Sequence, residues 1–139
     1  MPPKLEHVLI CEDIRKEEGN KITLVGVLGA NIVIGEPVEF PVRLQQLCVF
    51  LRWKQVSGGE EVYLSIAYEG DEFFKTSKPA VLVKPAILQD YSQLSFHFPG
   101  FPVKGFGEYR VRVYLGDPDT LQDEWSFWIS PARAEPKAV

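Results

Sequence analysis

Four residues of this chain carry the side chains that most often do chemistry at neutral pH: His7, Cys11, Cys48 and His97. A thiol beside an imidazole makes a nucleophile with its base, and two of each make a zinc ligand set. The spacing of His7 and Cys11 argues against both. They share one apolar segment, 5–11, that reads as a strand, so their backbones stand about 13 Å apart at about 3.3 Å per residue. That is too far for a hydrogen bond and too far for one zinc ion held at about 2 Å by each ligand. A site using both cysteines and both histidines is therefore excluded. His97 lies between Phe96 and Phe98 and is expected to face solvent. The cysteines read as two buried, reduced thiols, because no export signal accompanies them.

Carboxylates offer a second chemistry. Asp117 and Asp119 sit in the turn Gly116-Asp117-Pro118-Asp119-Thr120. If the later strands run up and down, loops 57–60, 85–91 and 116–120 share one end, and Glu60, Asp90, Asp117 and Asp119 become a candidate calcium set. The acidic pairs Glu12-Asp13 and Glu17-Glu18 are interleaved with Arg15, Lys16 and Lys21 and read as a solvated turn. The chain holds no Gly-x-Ser-x-Gly, His-Glu-x-x-His, phosphate loop or dinucleotide fingerprint. Gly100-Phe101-Pro102 and Gly105-Phe106-Gly107 precede no helix that would bind a phosphate. No catalytic residue, cofactor or metal ligand is assigned, and the chain is expected not to be an enzyme.

Composition narrows the partners. A length of 139 residues suits one domain. The 15 basic and 19 acidic side chains leave a net charge of −4, which provides no footprint for nucleic acid. No run approaches the roughly 20 apolar residues of a membrane helix, and the N-terminus lacks the pattern of a signal peptide. The expected location is the cytoplasm.

The elements that must position these residues are strands. The 11 prolines and 11 glycines punctuate short apolar segments at 5–11, 21–28, 30–35, 44–56, 61–69, 72–76, 79–84, 92–98, 106–115 and 121–130. Only Asp13–Glu18 and Pro85–Tyr91 have room for a helical turn. In the last hairpin, Tyr109, Val111, Val113 and Leu115 share one side with Glu108, Arg110 and Arg112 on the other, and Leu121, Trp125, Phe127 and Ile129 share one side with Gln122, Glu124 and Ser126 opposite. Pairing Leu115 with Leu121 sets Arg112 opposite Glu124, Val111 opposite Trp125 and Tyr109 opposite Phe127. A two-residue turn at Gly58-Gly59 sets Trp53 opposite Leu64. A second turn at Gly70-Asp71 sets Phe74 beside Ala67, so 47–76 reads as a three-stranded meander. The domain is expected to span 1–130, followed by a mobile tail at 131–139.

That register leaves Cys48, Phe50, Tyr63, Ala67 and Phe74 on the meander's outer face, with Phe50, Ala67 and Phe74 in one row. Tyr114 and Trp128 add aromatic surface on the last hairpin. An apolar row across three strands is either covered by another segment, such as 99–106 or 36–45, or buried against a partner. The candidate partner-binding residues are Phe50, Tyr63, Ala67, Phe74, Tyr114 and Trp128.

The opening Val8-Leu9-Ile10-Cys11-Glu12-Asp13-Ile14-Arg15, followed by Gly19-Asn20-Lys21-Ile22-Thr23-Leu24-Val25-Gly26-Val27, resembles a family of small bacterial β-domain proteins of unknown function. Gly107-Glu108-Tyr109-Arg110-Val111 resembles the entry to the last hairpin of immunoglobulin-like sandwiches. The Cys…Trp…Cys spacing of antibody domains is absent, because no cysteine follows Trp53. The resemblance implies a family without an assigned activity. The expected fold is a single all-β, antiparallel, immunoglobulin-like β-sandwich. The expected function is a non-catalytic protein-interaction or structural module, through a protein partner or self-association and with neither nucleic acid nor membrane. The rival is a calcium- or carbohydrate-binding domain, with Trp128 and Tyr114 stacking on sugar.

Overall fold

The computed structural model describes residues 3–18, 22–28, 31–35, 38–85 and 91–132. They form ten strands: β1 (Lys4–Lys16), β2 (Ile22–Leu28), β3 (Asn31–Gly35), β4 (Val42–Lys54), β5 (Glu61–Tyr68), β6 (Asp71–Lys75), β7 (Ala80–Val81), β8 (Tyr91–Val103), β9 (Gly107–Leu115) and β10 (Leu121–Ala132). Two sheets stack. One has the order β2-β1-β4-β8 and the other β3-β10-β9-β5-β6, with β7 also paired to β5. The pairs are antiparallel except β3 with β10, which is parallel, so the sandwich is mixed. Placing β4 beside β8 in one sheet and β9 between β10 and β5 in the other matches the B–E and G–F–C neighbours of immunoglobulin-like folds.

The core follows from period-two alternation. Leu47, Val49, Leu51 and Trp53 of β4 point inward, as do Val62, Leu64 and Ile66 of β5 and Tyr109, Val111 and Val113 of β9, and all are sealed from solvent in one cluster. Tyr109 anchors the corner before β9. Its hydroxyl accepts from the Lys104 and Gly105 backbone N–H groups at 3.1 and 3.2 Å and donates to the Gly105 carbonyl at 2.7 Å. This is the tyrosine corner of immunoglobulin-like sandwiches. Val111, two residues on, takes the place where antibody domains carry their second inter-sheet cysteine.

The three-stranded meander expected over 47–76 does not form. β4 pairs with β1 and β8, and β5 pairs with β9, so Trp53 faces Leu5 and Ser92 while Leu64 faces Val113. Gly58 (φ 105°) and Gly59 (φ 89°) supply the expected turn chemistry, but the chain uses it to cross between sheets. A hairpin would have left one apolar face bare, whereas opposite sheets bury the β4 and β5 faces against each other. The next turn lies at Glu69-Gly70. A bulge there pairs Ala67 with Glu72 and Ile66 with Phe74.

The last hairpin has the expected Arg112–Glu124, Val111–Trp125 and Tyr109–Phe127 pairs. A bulge shifts Leu121 from Leu115 onto Tyr114. Trp125 is 40% exposed rather than buried, because β3 covers β10 only from Trp128 onward. β1 continues as strand to Lys16, through the first of the two segments with room for a helical turn. Most of the second, 86–90, lies outside the described residues. β10 extends past Ser130, since Pro131 and Ala132 pair with Ile34 and Gly35. The remaining tail, 133–139, lies outside the described residues.

Tyr109→Phe leaves two backbone N–H groups without their acceptor and is expected to cost about 1–3 kcal/mol, read as a lower urea midpoint at unchanged slope.

Candidate functional site

Cys11, Cys48 and His97 are successive cross-strand partners on β1, β4 and β8, so they form one row across the outer face of their sheet. Cys48 Sγ stands 3.2 Å from His97 Nδ1. Past Cys11, β1 stops pairing with β4, and Asp13 joins the row: the ligand atoms of Asp13, Cys48 and His97 all lie within 4.8 Å of one another. Gln46 Nε2 donates to Asp13 Oδ1 at 2.9 Å and lies 3.4 Å from Cys48 Sγ and 3.3 Å from the Glu12 carbonyl. Asp13 Oδ1 also accepts from the Ile14 N–H at 2.8 Å. His97 is exposed, while both cysteines are buried and unbridged.

His97 faces outward as expected, but Cys48 is beside it, which sequence reasoning missed. Both residues fall on the outward parity of their strands, and that is the one signal available. Nothing local sets β4 against β8 in this register. His7 and Cys11 are not brought together, since His7 pairs with Arg52.

The thiols are held neutral. Burial pushes Cys11 up to about 11, with Cys48 and Asp13 adding to it. Cys48 is raised as well, mainly by burial and further by Asp13, against the opposing Gln46 amide and Ile14 N–H. A nucleophilic cysteine needs the reverse, an accessible site that favours thiolate. Neither the groove of about 710 Å³ between β1, β3 and β4 nor that of about 650 Å³ beside Phe50 and Arg52 is lined by Cys48 or His97. The mixed oxygen, sulfur and nitrogen donor set suits a metal ion better than a reacting substrate.

The proposed apolar row is divided by the fold. Phe50 lies on the outer face of the β1–β4–β8 sheet and is 6% exposed, in a small cluster with Cys11, Ile14 and Cys48. Ile22 and Leu24 pack on that cluster, so Phe50 is covered by Ile14, Ile22 and Leu24. Ala67 and Tyr63 lie on the outer face of the other sheet. Phe74 turns to the sandwich edge and meets Phe98 edge-on at 4.6 Å. Beside the β6 bulge, Phe73 packs on Phe101 and Tyr109, while Phe74 stays 38% exposed at the edge.

Glu72 organises the second outer face. Its carboxylate accepts from Ser65 at 2.8 Å and Tyr114 at 2.9 Å and lies 3.6 Å from Lys75 and 3.7 Å from Arg112. Arg112 and Arg110 both reach Glu124, at 3.1 and 2.8 Å. Tyr114 is buried beneath Lys75, whose ammonium lies 4.4 Å from its ring centre. Trp128 alone among the six candidate residues presents a broad aromatic surface here, at 42% exposure.

The calcium set does not converge among the described residues. The Glu60 carboxylate accepts from the Ser57 and Gly58 N–H groups of its own turn. Asp117 accepts from the Asp119 N–H and the Thr120 hydroxyl. Asp90 lies outside the described residues.

A family model described as a family of unknown function, DUF6941, matches residues 6–126. The chain belongs to that family. No match was found among curated proteins. Among solved structures, this DUF6941 member is similar to a beta-glucosidase from Listeria innocua, at 16% identity and a TM-score of 0.39, over 92% of this chain and 16% of that one. A likeness of that size carries no functional argument. No helix among the described residues is long and apolar enough to cross a membrane.

Two outcomes are expected. Phe50→Ala removes a covered aromatic and lowers stability by about 3 kcal/mol, while Trp128→Ala changes it by less than about 0.5 kcal/mol in urea unfolding. Burial alone would raise the Glu72 pKa, but hydrogen bonds from Ser65 and Tyr114 and the charges of Lys75 and Arg112 hold it below its ordinary 4.5. Its stabilisation is therefore present above that pH and is lost as acid protonates it. Glu72→Gln should flatten the loss of melting temperature below pH 4.5 in an acid series.

Proposed function

We propose that this DUF6941 member is a non-catalytic interaction module that binds another protein along β10, in the cytoplasm. One observation carries the reading. β3 pairs with β10 only over Trp128–Ala132, so among the described residues Leu121–Phe127 has no strand on the side away from β9. Such an edge presents free backbone donors and acceptors to an added strand. Leu121 (50% exposed) and Trp125 flank it, and Trp128 and Val33 stand beyond it. Together they provide the apolar and aromatic anchors that interfaces favour.

The non-catalytic part is supported by the neutral, sealed Cys48 thiol, the one nucleophile among the described residues that has an imidazole beside it. Two reduced cysteines fit a reducing compartment. Of the six candidate residues, Trp128 stays in the proposed surface, with Tyr63 and Ala67 on the same outer face. Calcium loses support because the Glu60 and Asp117 carboxylates already accept hydrogen bonds from their own turns. Sugar stacking loses Tyr114, which lies under Lys75.

The test captures partners from native lysate with the wild-type chain and with Trp125→Asp/Trp128→Asp, alongside size-exclusion of both. Surface changes of this kind leave the fold intact. The expected result is a protein, or a self-associated form, retained by the wild type and lost by the folded variant. An undiminished partner, or a monomer that captures nothing above background, overturns the proposal.

A further inference from the structure

We propose that Asp13, Cys48 and His97 form a zinc site with three protein ligands and one position open to water. The residues come from three strands of one sheet and converge although 35 and 49 positions separate them in the chain. Their donors are a carboxylate oxygen, a sulfur and an imidazole nitrogen. Zinc is borderline in softness and accepts all three, whereas calcium and magnesium take oxygen. Zinc bonds of about 2.0–2.3 Å in a tetrahedron place ligand atoms about 3.5 Å apart. Cys48 Sγ and His97 Nδ1 are already 3.2 Å apart, and the widest separation in the set is under 4.8 Å. Closing on the ion needs side-chain movements of about an ångström.

The surroundings favour a cation. The Asp13 carboxylate, the Glu12 carbonyl and Cys48 Sγ all converge on one amide group, that of Gln46. Acceptors therefore crowd this space, where the donors are the Gln46 amide, the Ile14 N–H and the Cys48 thiol, which lies 3.8 Å from the Glu12 carbonyl. The Ile14 N–H and Gln46 both hold Asp13 Oδ1, which fixes the carboxylate. Such supporting bonds are what orient metal ligands. Among the described residues, Asp13 Oδ2 has one neighbour of opposite charge, Arg15 at 3.6 Å, and that pair is solvent-exposed and weak. His97 is exposed, which provides an entry path and room for the fourth ligand, a water molecule. On binding, Cys48 loses its thiol proton to solvent as the zinc–sulfur bond forms, and His97 binds through Nδ1. Cys11 faces the Cys48 carbonyl at 3.9 Å and is no part of the set.

The untagged chain is titrated with cobalt(II) as a spectroscopic stand-in and with zinc against a chromogenic chelator. Expected are one equivalent of metal, a near-ultraviolet sulfur-to-cobalt band, tetrahedral visible bands displaced by zinc, and release of a proton. Cys48→Ser should abolish the sulfur band. His97→Gln and Asp13→Asn should each weaken zinc by about tenfold or more. Cys11→Ser should bind as the wild type. His97 is exposed, so His97→Gln remains informative if Cys48→Ser fails to fold. Absence of stoichiometric binding at micromolar zinc overturns the proposal. So does binding that survives His97→Gln but is lost in Cys11→Ser, which would assign the metal to the two thiols instead.

Discussion

The burial of β4 against β5 and β9 is the constraint on which the other features depend. Leu47, Val49, Leu51 and Trp53 form one wall and Val62, Leu64, Ile66, Val111 and Val113 the other. Once β4 faces these strands across the core, it must take its hydrogen-bond partners from elsewhere, and β1 and β8 supply them. The central strand of one sheet is thereby fixed, and so is everything on its outer face. Tyr109 locks the same arrangement at the corner, where its ring stacks on Tyr68 and Phe127 at 4.6 and 5.3 Å and its hydroxyl ties down the backbone at 104–105.

The two outer faces then differ in kind. That of the β1–β4–β8 sheet carries apolar and sulfur-bearing residues, and Ile14, Ile22 and Leu24 cover them. The same departure of β1 from β4 swings Asp13 over Cys48, so covering Phe50 and assembling the Asp13–Cys48–His97 cluster are one structural event. The face of the β5–β9–β10 sheet is instead a lattice of charges around Glu72 and Glu124. Such a lattice resists non-specific association and leaves Trp128, beside the open β10 edge, as the exposed aromatic on that side.

The proposed binding edge and the proposed metal cluster stand apart in this domain. The β10 edge lies in the sheet opposite the cysteines. Membership of a family of unknown function is consistent with either feature being the conserved purpose of the fold, and the two are testable independently because no residue is shared between them.

The chain's own residues determined the all-β class, nearly every strand, and the last hairpin with its Arg112–Glu124 and Tyr109–Phe127 pairs, because period-two alternation and turn chemistry are local. They also determined which face each residue of β4 and β8 takes, and the Tyr109 corner was legible in Gly107–Val111. Only the tertiary structure decided which sheet β4 joins, since a glycine pair permits a hairpin and a crossing between sheets equally well. It alone decided that Phe50 and Phe74 part company, because the β6 bulge changes parity without any marker among Asp71–Lys75. It alone put Cys48 beside His97 and Asp13. Their contact joins residues 35 and 49 positions apart, and that register is set by how the whole core packs rather than by any short stretch of sequence.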